Sequence, residues 1–399
     1  MRVESIRLKN FRAFRDIHMR DIPGFCVLIG ANGTGKSTLF SVFSFLRDAM
    51  TTNVTEALGR LGGSRGFQEV RSRNSEGPIE IELKIRADLG KQQKLITYAL
   101  QIAEEVGRPI VEREILMYPG GNDDRPWHLV DFRRGTGEAV TNEMDHVSEE
   151  SELKRRTQTL KSSDILAIKG LAQFEQFPAA VALGSLIENW HLSDFHIDGA
   201  RREQEAGFGF DPHLSREGEN LSDVIEYLQS QHPRVFQDIL ARLARRIPGI
   251  TRVESKITEE GRVLLKFQDG AFEDPFLARN VSDGTIKMLA YLVLLLDPKP
   301  HPLLCVEEPE NQLYPSLLSE LAEEFRNYAI RGGQVFVSTH SPDFLNAVEL
   351  DEAFWLVKQG GYTEIRRAKD DAQIVTYMAD GDQLGYLWKQ GLFEGADPR

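Results

Sequence analysis

The residues with the clearest chemistry are Gly30-Ala31-Asn32-Gly33-Thr34-Gly35-Lys36-Ser37-Thr38, which fit the pattern G-x-x-x-x-G-K-[ST]. Glycines at these spacings let the backbone curl until several N–H groups point inward at phosphate oxygens. The lysine reaches the β- and γ-phosphates of a nucleoside triphosphate, and the Ser37 hydroxyl is a Mg²⁺ ligand. The pattern needs a strand before it and a helix after it. Phe25 to Ile29 reads as a short buried strand, and an apolar helix is expected from about Lys36 to Met50. The helix adds its positive N-terminal end to the same place. The candidate phosphate-binding residues are Asn32, Gly33, Gly35, Lys36, Ser37 and Thr38. The competing account is a glycine turn that binds nothing; the flanking strand and helix argue against it.

A second set lies toward the other end. Pro302-Leu303-Leu304-Cys305-Val306-Glu307-Glu308-Pro309-Glu310 carries two carboxylates off one buried strand. One carboxylate can hold Mg²⁺ through its water shell while the next orients or deprotonates an attacking water. Glu307 takes the first role and Glu308 the second. An acidic pair after a strand is by itself more often a helix cap or a solvated turn; a phosphate loop in the same chain favours the metal reading. Ser338-Thr339-His340-Ser341 ends the next apolar strand. An imidazole there can contact a γ-phosphate, although a lone histidine is usually structural. Val281-Ser282-Asp283-Gly284-Thr285 opens a helix at about Ile286. Serine and aspartate make a good N-cap, and a hydroxyl beside open N–H groups also makes an anion site. The position of Ser282, Asp283 and Gly284 ahead of Glu307 favours the anion site.

The elements around these groups fall into three stretches. Arg2 to Leu8 alternates as a strand, and Asn10 to Asp16 reads as a basic turn. Thr51 to Gly77 is polar and glycine-rich, hence loop-like. Ile79 to Ile85, Leu95 to Ile102, Val111 to Tyr118 and His128 to Phe132 read as an antiparallel set. Asn142 to Arg156 is charged and expected to be exposed. Helices are expected over about Ala167 to Asn189 and Leu221 to Arg246, followed by a hairpin over Val253 to Phe267. In the last third, strands at Leu303 to Val306, Gln334 to Val337, Phe354 to Val357 and Thr363 to Arg366 alternate with helices, which argues for a largely parallel sheet. The division expected is 1–165 with the phosphate loop and an antiparallel β-subdomain, 166–275 as an inserted helical lobe with the hairpin, and 276–399 as a second α/β lobe.

The composition sets outer bounds. The 399 residues are 41% hydrophobic and 27% charged, as in ordinary globular proteins with a large core. A net charge of -13 repels phosphate on average, so DNA binding would need a local basic patch. Lys9, Arg12 and Arg15 are the candidates, with a solvated charged turn as the commoner explanation. Cys26 and Cys305 belong to no C-x-x-C motif and fit a reducing cytoplasm. The longest apolar run, Met288 to Leu296, is too short to span a bilayer, so no membrane association is expected.

In order and type, these motifs resemble the ABC-type ATPase heads of the SMC, RecF and overcoming-lysogenization-defect families. The opening IRLKNFRAFRD and the run GANGTGKST carry that resemblance at one end. Ser282-Asp283-Gly284-Thr285 resembles the signature motif, Glu307-Glu308 the Walker B end, Asn311 the D-loop and His340 the switch histidine. The resemblance implies a P-loop NTPase fold with a mixed sheet, ATP and Mg²⁺ as ligands, and hydrolysis with Glu308 and His340 as catalytic residues. It also implies a nucleotide-bound homodimer or higher oligomer, in which the signature motif binds the γ-phosphate held by the opposite subunit. Gln68, ahead of the Ile79 strand, is the candidate for the metal-contacting Q-loop glutamine, and a plain loop residue is its alternative.

Three points bear on function. The family usually has aspartate where Glu307 stands, and the longer side chain shifts the metal shell by one methylene, a change expected to slow hydrolysis. There is no long coiled coil or zinc hook, and little chain follows His340 for a nuclease domain; Asp380-Gly381-Asp382 reads as a solvated turn. The layout therefore resembles stand-alone ATPases of bacterial phage-defence systems, which act beside a separately encoded nuclease or toxin. The functions in contention are an ATP-driven switch in DNA processing or defence, an ATP-binding scaffold that holds a toxin inactive, and a transporter motor. The long insert between Lys36 and Ser282 argues against the motor. A P-loop kinase would leave Ser282 to Thr285 and His340 unexplained.

Overall fold

A computed structural model describes residues 1–89, 92–119, 126–143, 150–201, 204–205 and 212–396. The chain forms two compact units. The first comprises Met1–Trp190, Glu349–Asp382 and Leu387–Arg399; the second comprises His191–Val348 and Gln383–Tyr386. The cuts fall at Trp190 and Val348, where the sequence suggested boundaries at 165 and 275. The reason lies in strand pairing, since a late strand of the chain pairs in the first unit with an early one.

The first unit opens with β1 (Arg2–Phe11) and β2 (Phe14–Met19), an antiparallel hairpin. The basic turn is thus shorter than expected; Arg12 within it takes a left-handed φ of 48°, and Asn10 near the end of β1 one of 56°. Its cations are committed within the unit. Lys9 sits 3.7 Å from Glu80, Arg12 donates to the Leu61 carbonyl at 2.6 Å, and Arg15 lies 5.3 Å over the Tyr362 ring. Strand β3 (Phe25–Ile29) is buried along its whole length and includes Cys26. Helix α1 (Lys36–Thr51) follows the glycine loop and buries Leu39, Phe40, Phe43 and Leu46.

The stretch expected to be loop contains two helices, α2 (Val54–Gly62) and α3 (Gly66–Val70). The Asn53 side chain caps the first by accepting from the Glu56 amide at 2.8 Å, and Val54, Ala57 and Leu58 are buried. A cap and one apolar face outweigh the cost of the glycines. Next come β4 (Ile79–Leu89), β5 (Gln92–Glu105), β6 (Arg108–Pro119), β7 (Pro126–Arg133), β8 (Thr136–Val140) and β9 (Arg155–Thr159). They complete an eight-stranded antiparallel sheet ordered β2-β1-β4-β5-β6-β7-β8-β9, in which β4 to β7 are the antiparallel set expected between Ile79 and Phe132 and β8 and β9 are additional. Of the charged stretch Asn142 to Arg156, residues 144–149 lie outside the described ones. The helix expected over Ala167 to Asn189 is two, α4 (Ala167–Leu171) and α5 (Pro178–Glu188). Pro178 takes the first turn of α5, where its missing N–H costs nothing.

The second unit begins with β10 (His191–Ser193), α6 (Ile197–Ala200) and β11 (Gln204–Glu205). The helix expected over Leu221 to Arg246 breaks at His232 into α7 (Leu221–Gln231) and α8 (Pro233–Arg246), again because a proline must start a helix. Strands β12 (Ile250–Ile257), β13 (Arg262–Asp269) and β14 (Phe276–Leu277) build a small antiparallel sheet with β11, the first two forming the expected hairpin. Helix α9 (Asp283–Leu295) is buried nearly all round. It is followed by β15 (Leu304–Glu307), which contains Cys305, α10 (Pro315–Ile330), β16 (Val335–Thr339) and α11 (Pro342–Leu345). Strands β10, β15 and β16 run parallel, so their carboxyl ends share one edge.

The chain then returns to the first unit with β17 (Ala353–Gln359), β18 (Tyr362–Arg367) and α12 (Ala372–Ala379). Strand β17 lies parallel to β3 and antiparallel to β18. Asp380 and Asp382 flank an exposed turn at the end of α12, with Gly381 at φ 99°.

Candidate active site

In the first unit the run from Gly30 to Thr38 joins β3 to α1, the context its glycines require. Gly33 and Gly35 take φ of 78° and 106°, where other residues are strained. A Cβ on Gly30 would lie 2.5 Å from the Thr34 hydroxyl and 3.0 Å from the Leu356 carbonyl. The Thr34 hydroxyl donates to the Ala31 carbonyl at 2.8 Å, and Thr363 of β18 donates to the Thr34 carbonyl at 2.6 Å. Thr363 thus braces the loop from a strand far along the chain.

Lys36 is only 6% exposed. Its ammonium donates to the Gly30 carbonyl at 2.5 Å and to the Ala31 carbonyl at 3.3 Å, so the charge lies inside the loop. Asn32, Gly33 and Ser37 are exposed, and Thr38 is half-buried. Helix α1 has no capping side chain and no acid in its first turn. Its positive end is therefore not neutralised by its own residues, and this donor set fits a polyphosphate. Gln68 lies in α3 rather than in a loop, and its amide nitrogen donates to Glu104 at 3.4 Å on the surface.

In the second unit the parallel strands deliver the remaining candidates. Glu307 ends β15 in register with Ser338 on β16. Glu308 follows with φ 43°, a left-handed backbone at a non-glycine residue, and its amide donates to the Ser338 carbonyl at 2.9 Å. Such conformations persist where the surroundings hold them, and they concentrate at active sites. Both Glu308 oxygens have partners: His340 Nδ1 lies 3.3 Å from Oε1, and the Asn311 amide donates to Oε2 at 3.1 Å. Glu310 is more deeply buried. Its Oε1 accepts from the Thr339 hydroxyl at 2.8 Å and from the His340 amide at 2.9 Å. It therefore fixes the backbone that presents the imidazole, which stays 43% exposed. Lys287 of α9 is buried nearby; desolvation pulls its pKa down, against the opposing charges of Glu310, Asp194 and Glu308.

Ser282 is exposed at the start of α9, and its side chain accepts from the Thr285 amide at 3.3 Å. Asp283 is held by Arg201 at 2.5 Å, and Arg201 also donates to the Val281 carbonyl. A Cβ on Gly284 would sit 3.0 Å from the Gln312 carbonyl, so glycine lets the start of α9 approach the segment that follows Glu310. The structure thus gathers Glu308, Glu310, Asn311 and His340 into one cluster. Three supports had no assigned role in the sequence: Thr363, Arg201 and Glu310. Glu310 stood inside the acidic run and could have been singled out. Arg201 and Thr363 carry no periodicity or spacing that marks them.

The model of the family described as "AAA domain, putative AbiEii toxin, Type IV TA system" matches residues 25–346, most of the chain. The chain belongs to that family. Among curated relatives of this AAA-domain protein, the DNA replication and repair protein RecF of Paenarthrobacter aurescens (strain TC1) is 33% identical over 89 residues. That match spans 22% of each of the two chains. Among solved structures, an SMC head bound to the C-terminal winged-helix domain of ScpA aligns with TM-score 0.55 at 14% identity, covering 92% of this chain and 98% of that one. An SMC head from Pyrococcus furiosus with an extended coiled coil, bound to the C-terminal domain of ScpA, aligns with TM-score 0.50 at 12% identity, covering 94% and 99%. The chain is therefore an AAA-domain protein of that family with the fold of SMC heads. Among its described residues no helix is long and apolar enough to cross a membrane.

Proposed function

We propose that the chain binds ATP with Mg²⁺, hydrolyses it, and closes as a homodimer on the bound nucleotide. The observation that carries this reading is Glu308, held at φ 43° between His340 and Asn311 at the end of a buried parallel strand. A carboxylate fixed in this way can orient and deprotonate water for attack on a γ-phosphoryl group. Gly33, Gly35, Lys36 and Thr38, with Asn32 on the rim, bind the phosphates. Ser37 and Glu307 would hold Mg²⁺, with Gln68 as a further candidate; when bound, the ion neutralises charge on the β- and γ-oxygens. His340 contacts the γ-phosphate. Ser282, Asp283 and Gly284 complete a site held by a second copy, so nucleotide binds the closed dimer more tightly than the open chain and shifts the population toward the dimer.

What closure controls is our reading of family likeness. The reading best supported is a cytoplasmic switch in DNA processing or phage defence, licensing a separately encoded nuclease or toxin. The RecF match supports the DNA side. The ScpA domains on the SMC heads support a protein partner. Of the cations at that turn, Arg12 is held by the Leu61 carbonyl, while Lys9 and Arg15 stay at the surface beside Glu80 and Tyr362. A second reading, a scaffold with little turnover that holds a toxin inactive, is favoured by Glu307 standing where aspartate is usual.

The deciding experiment is light scattering on Glu308→Gln with and without ATP and Mg²⁺, beside phosphate release by the unmodified chain. Growth of the particle on ATP, with turnover that needs Glu308, supports the switch. Growth without turnover in the unmodified chain supports the scaffold. An unchanged monomer overturns the dimer.

A further inference from the structure

We propose that His213, Asp297 and His301 form a zinc-class transition-metal site at the amino-terminal edge of the parallel strands in the second unit. One ligand atom from each residue lies within 4.8 Å of the other two. His213 Nδ1 is 2.7 Å from Asp297 Oδ2. The His213 and His301 rings are 4.7 Å apart at 47°, and His191 stacks on His301 at 4.6 Å and 19°. A tetrahedral ion with bonds of about 2.1 Å spaces its donors by roughly 3.4 Å. The His213–Asp297 distance falls below that value and the remaining spacings lie within 4.8 Å, so the donors are already close to the distances an ion needs.

The donor set selects the metal. Two imidazoles and one carboxylate suit zinc and its first-row neighbours rather than Ca²⁺ or Mg²⁺, which prefer oxygen alone. Three protein ligands leave a fourth position for water. The supports are in place as well. Asp297 Oδ1 accepts from the Lys299 amide at 2.7 Å. The Asn220 amide donates to the His213 carbonyl at 2.9 Å and orders its loop, and the Tyr328 hydroxyl donates to the His301 carbonyl at 2.5 Å. Outer contacts of this kind hold first ligands in orientation. His191 fixes the plane of the His301 ring by stacking.

The position gives the site a consequence. Asp297 follows the last turn of α9, which begins beside Ser282. His301 precedes β15, which ends in Glu307. His213 belongs to the loop ahead of α7. One ion would tie these three segments together at the end of the strands remote from Glu307 and Glu308, bracing the frame that presents both motifs. None of the three ligands belongs to the proposed nucleotide machinery, so the two readings stand or fall separately.

The test uses the full chain, stripped with chelator, dialysed, and titrated with Zn²⁺ and then Co²⁺. The expected results are about one equivalent of Zn²⁺ per chain, a visible ligand-field spectrum with Co²⁺, and a rise in Tm on metal addition. His213→Ala, on an accessible loop, and His301→Gln should each lose the spectrum and the Tm rise, with circular dichroism confirming that they fold. Uptake that is absent at metal concentrations on the order of micromolar overturns the site. So does uptake left unchanged in both variants, because the ion would then sit on other histidines and the cluster would be a hydrogen-bonded His–Asp pair.

Discussion

His340 Nδ1 lies 3.3 Å from Glu308 Oε1, joining the ends of two adjacent parallel strands. Glu308→Gln keeps the size and the hydrogen bond from Asn311 but removes the base. Phosphate release should fall by roughly 10²–10⁴-fold, the usual worth of a general base, while nucleotide binding persists. Paired measurement of turnover and equilibrium binding checks this. Hydrolysis at the normal rate would take Glu308 out of that role.

Lys36→Ala removes the ammonium seated on the Gly30 and Ala31 carbonyls. Calorimetric titration with ATP should show binding lost. Because the Gly30 carbonyl is buried and loses its donor, the urea midpoint should fall by an amount on the order of 1–3 kcal/mol in stability, with circular dichroism confirming that the variant folds. Retained ATP affinity would put the nucleotide elsewhere.

Ser282→Arg should bind ATP yet fail to grow in size on ATP and Mg²⁺. It also loses a cap worth about 1 kcal/mol, so a control is needed. Ser282→Asp keeps a capping oxygen but sets negative charge where the γ-phosphate of a partner copy would lie. Both variants should stay monomeric with ATP. Dimers from either would sink the in-trans role of this motif.

Two buried carboxyls predict a pH dependence of stability. Glu114 accepts from the Ala167 and Ile168 amides at the start of α4 and from Tyr98, and Glu143 accepts from the Ala179 amide in the first turn of α5. Burial outweighs these bonds and raises each carboxyl from 4.5 to about 7. A raised folded-state value means that the stabilising contribution is complete below pH 4.5 and lost as pH rises through about 7. Each site is worth on the order of 3 kcal/mol across that window. Urea midpoints should decline from about pH 5 to about pH 8, with the slope reduced in Glu114→Gln and in Glu143→Gln and nearly flat in the double variant. A flat profile in the unmodified protein would contradict the assignment.

The phosphate loop, the acidic pair and the strand series from Ile79 to Phe132 were legible because each is local: fixed spacing, alternation, and a strand or helix next door. The helices at Val54–Gly62 and Gly66–Val70 were hidden by glycines, whose composition signals loop while a single Asn53 cap and three buried apolar residues decide the outcome. The helices split at Pro178 and Pro233 were legible in principle, since proline starts a helix more readily than it continues one. Arg201 on Asp283 and Thr363 on the phosphate loop were not, because each support comes from far along the chain and depends on the finished fold.

Each unit carries one buried thiol on a strand that feeds chemistry: Cys26 on β3 ahead of the phosphate loop, and Cys305 on β15 ahead of Glu307. Only a transient opening exposes either sulfur to an alkylating reagent, and burial holds the Cys26 thiol well above its ordinary pKa until then. The pair is thus a built-in set of two clocks. The mass of each labelled peptide against time reads the opening at its own strand, β3 or β15, and a bound nucleotide that steadies either strand will slow its hand.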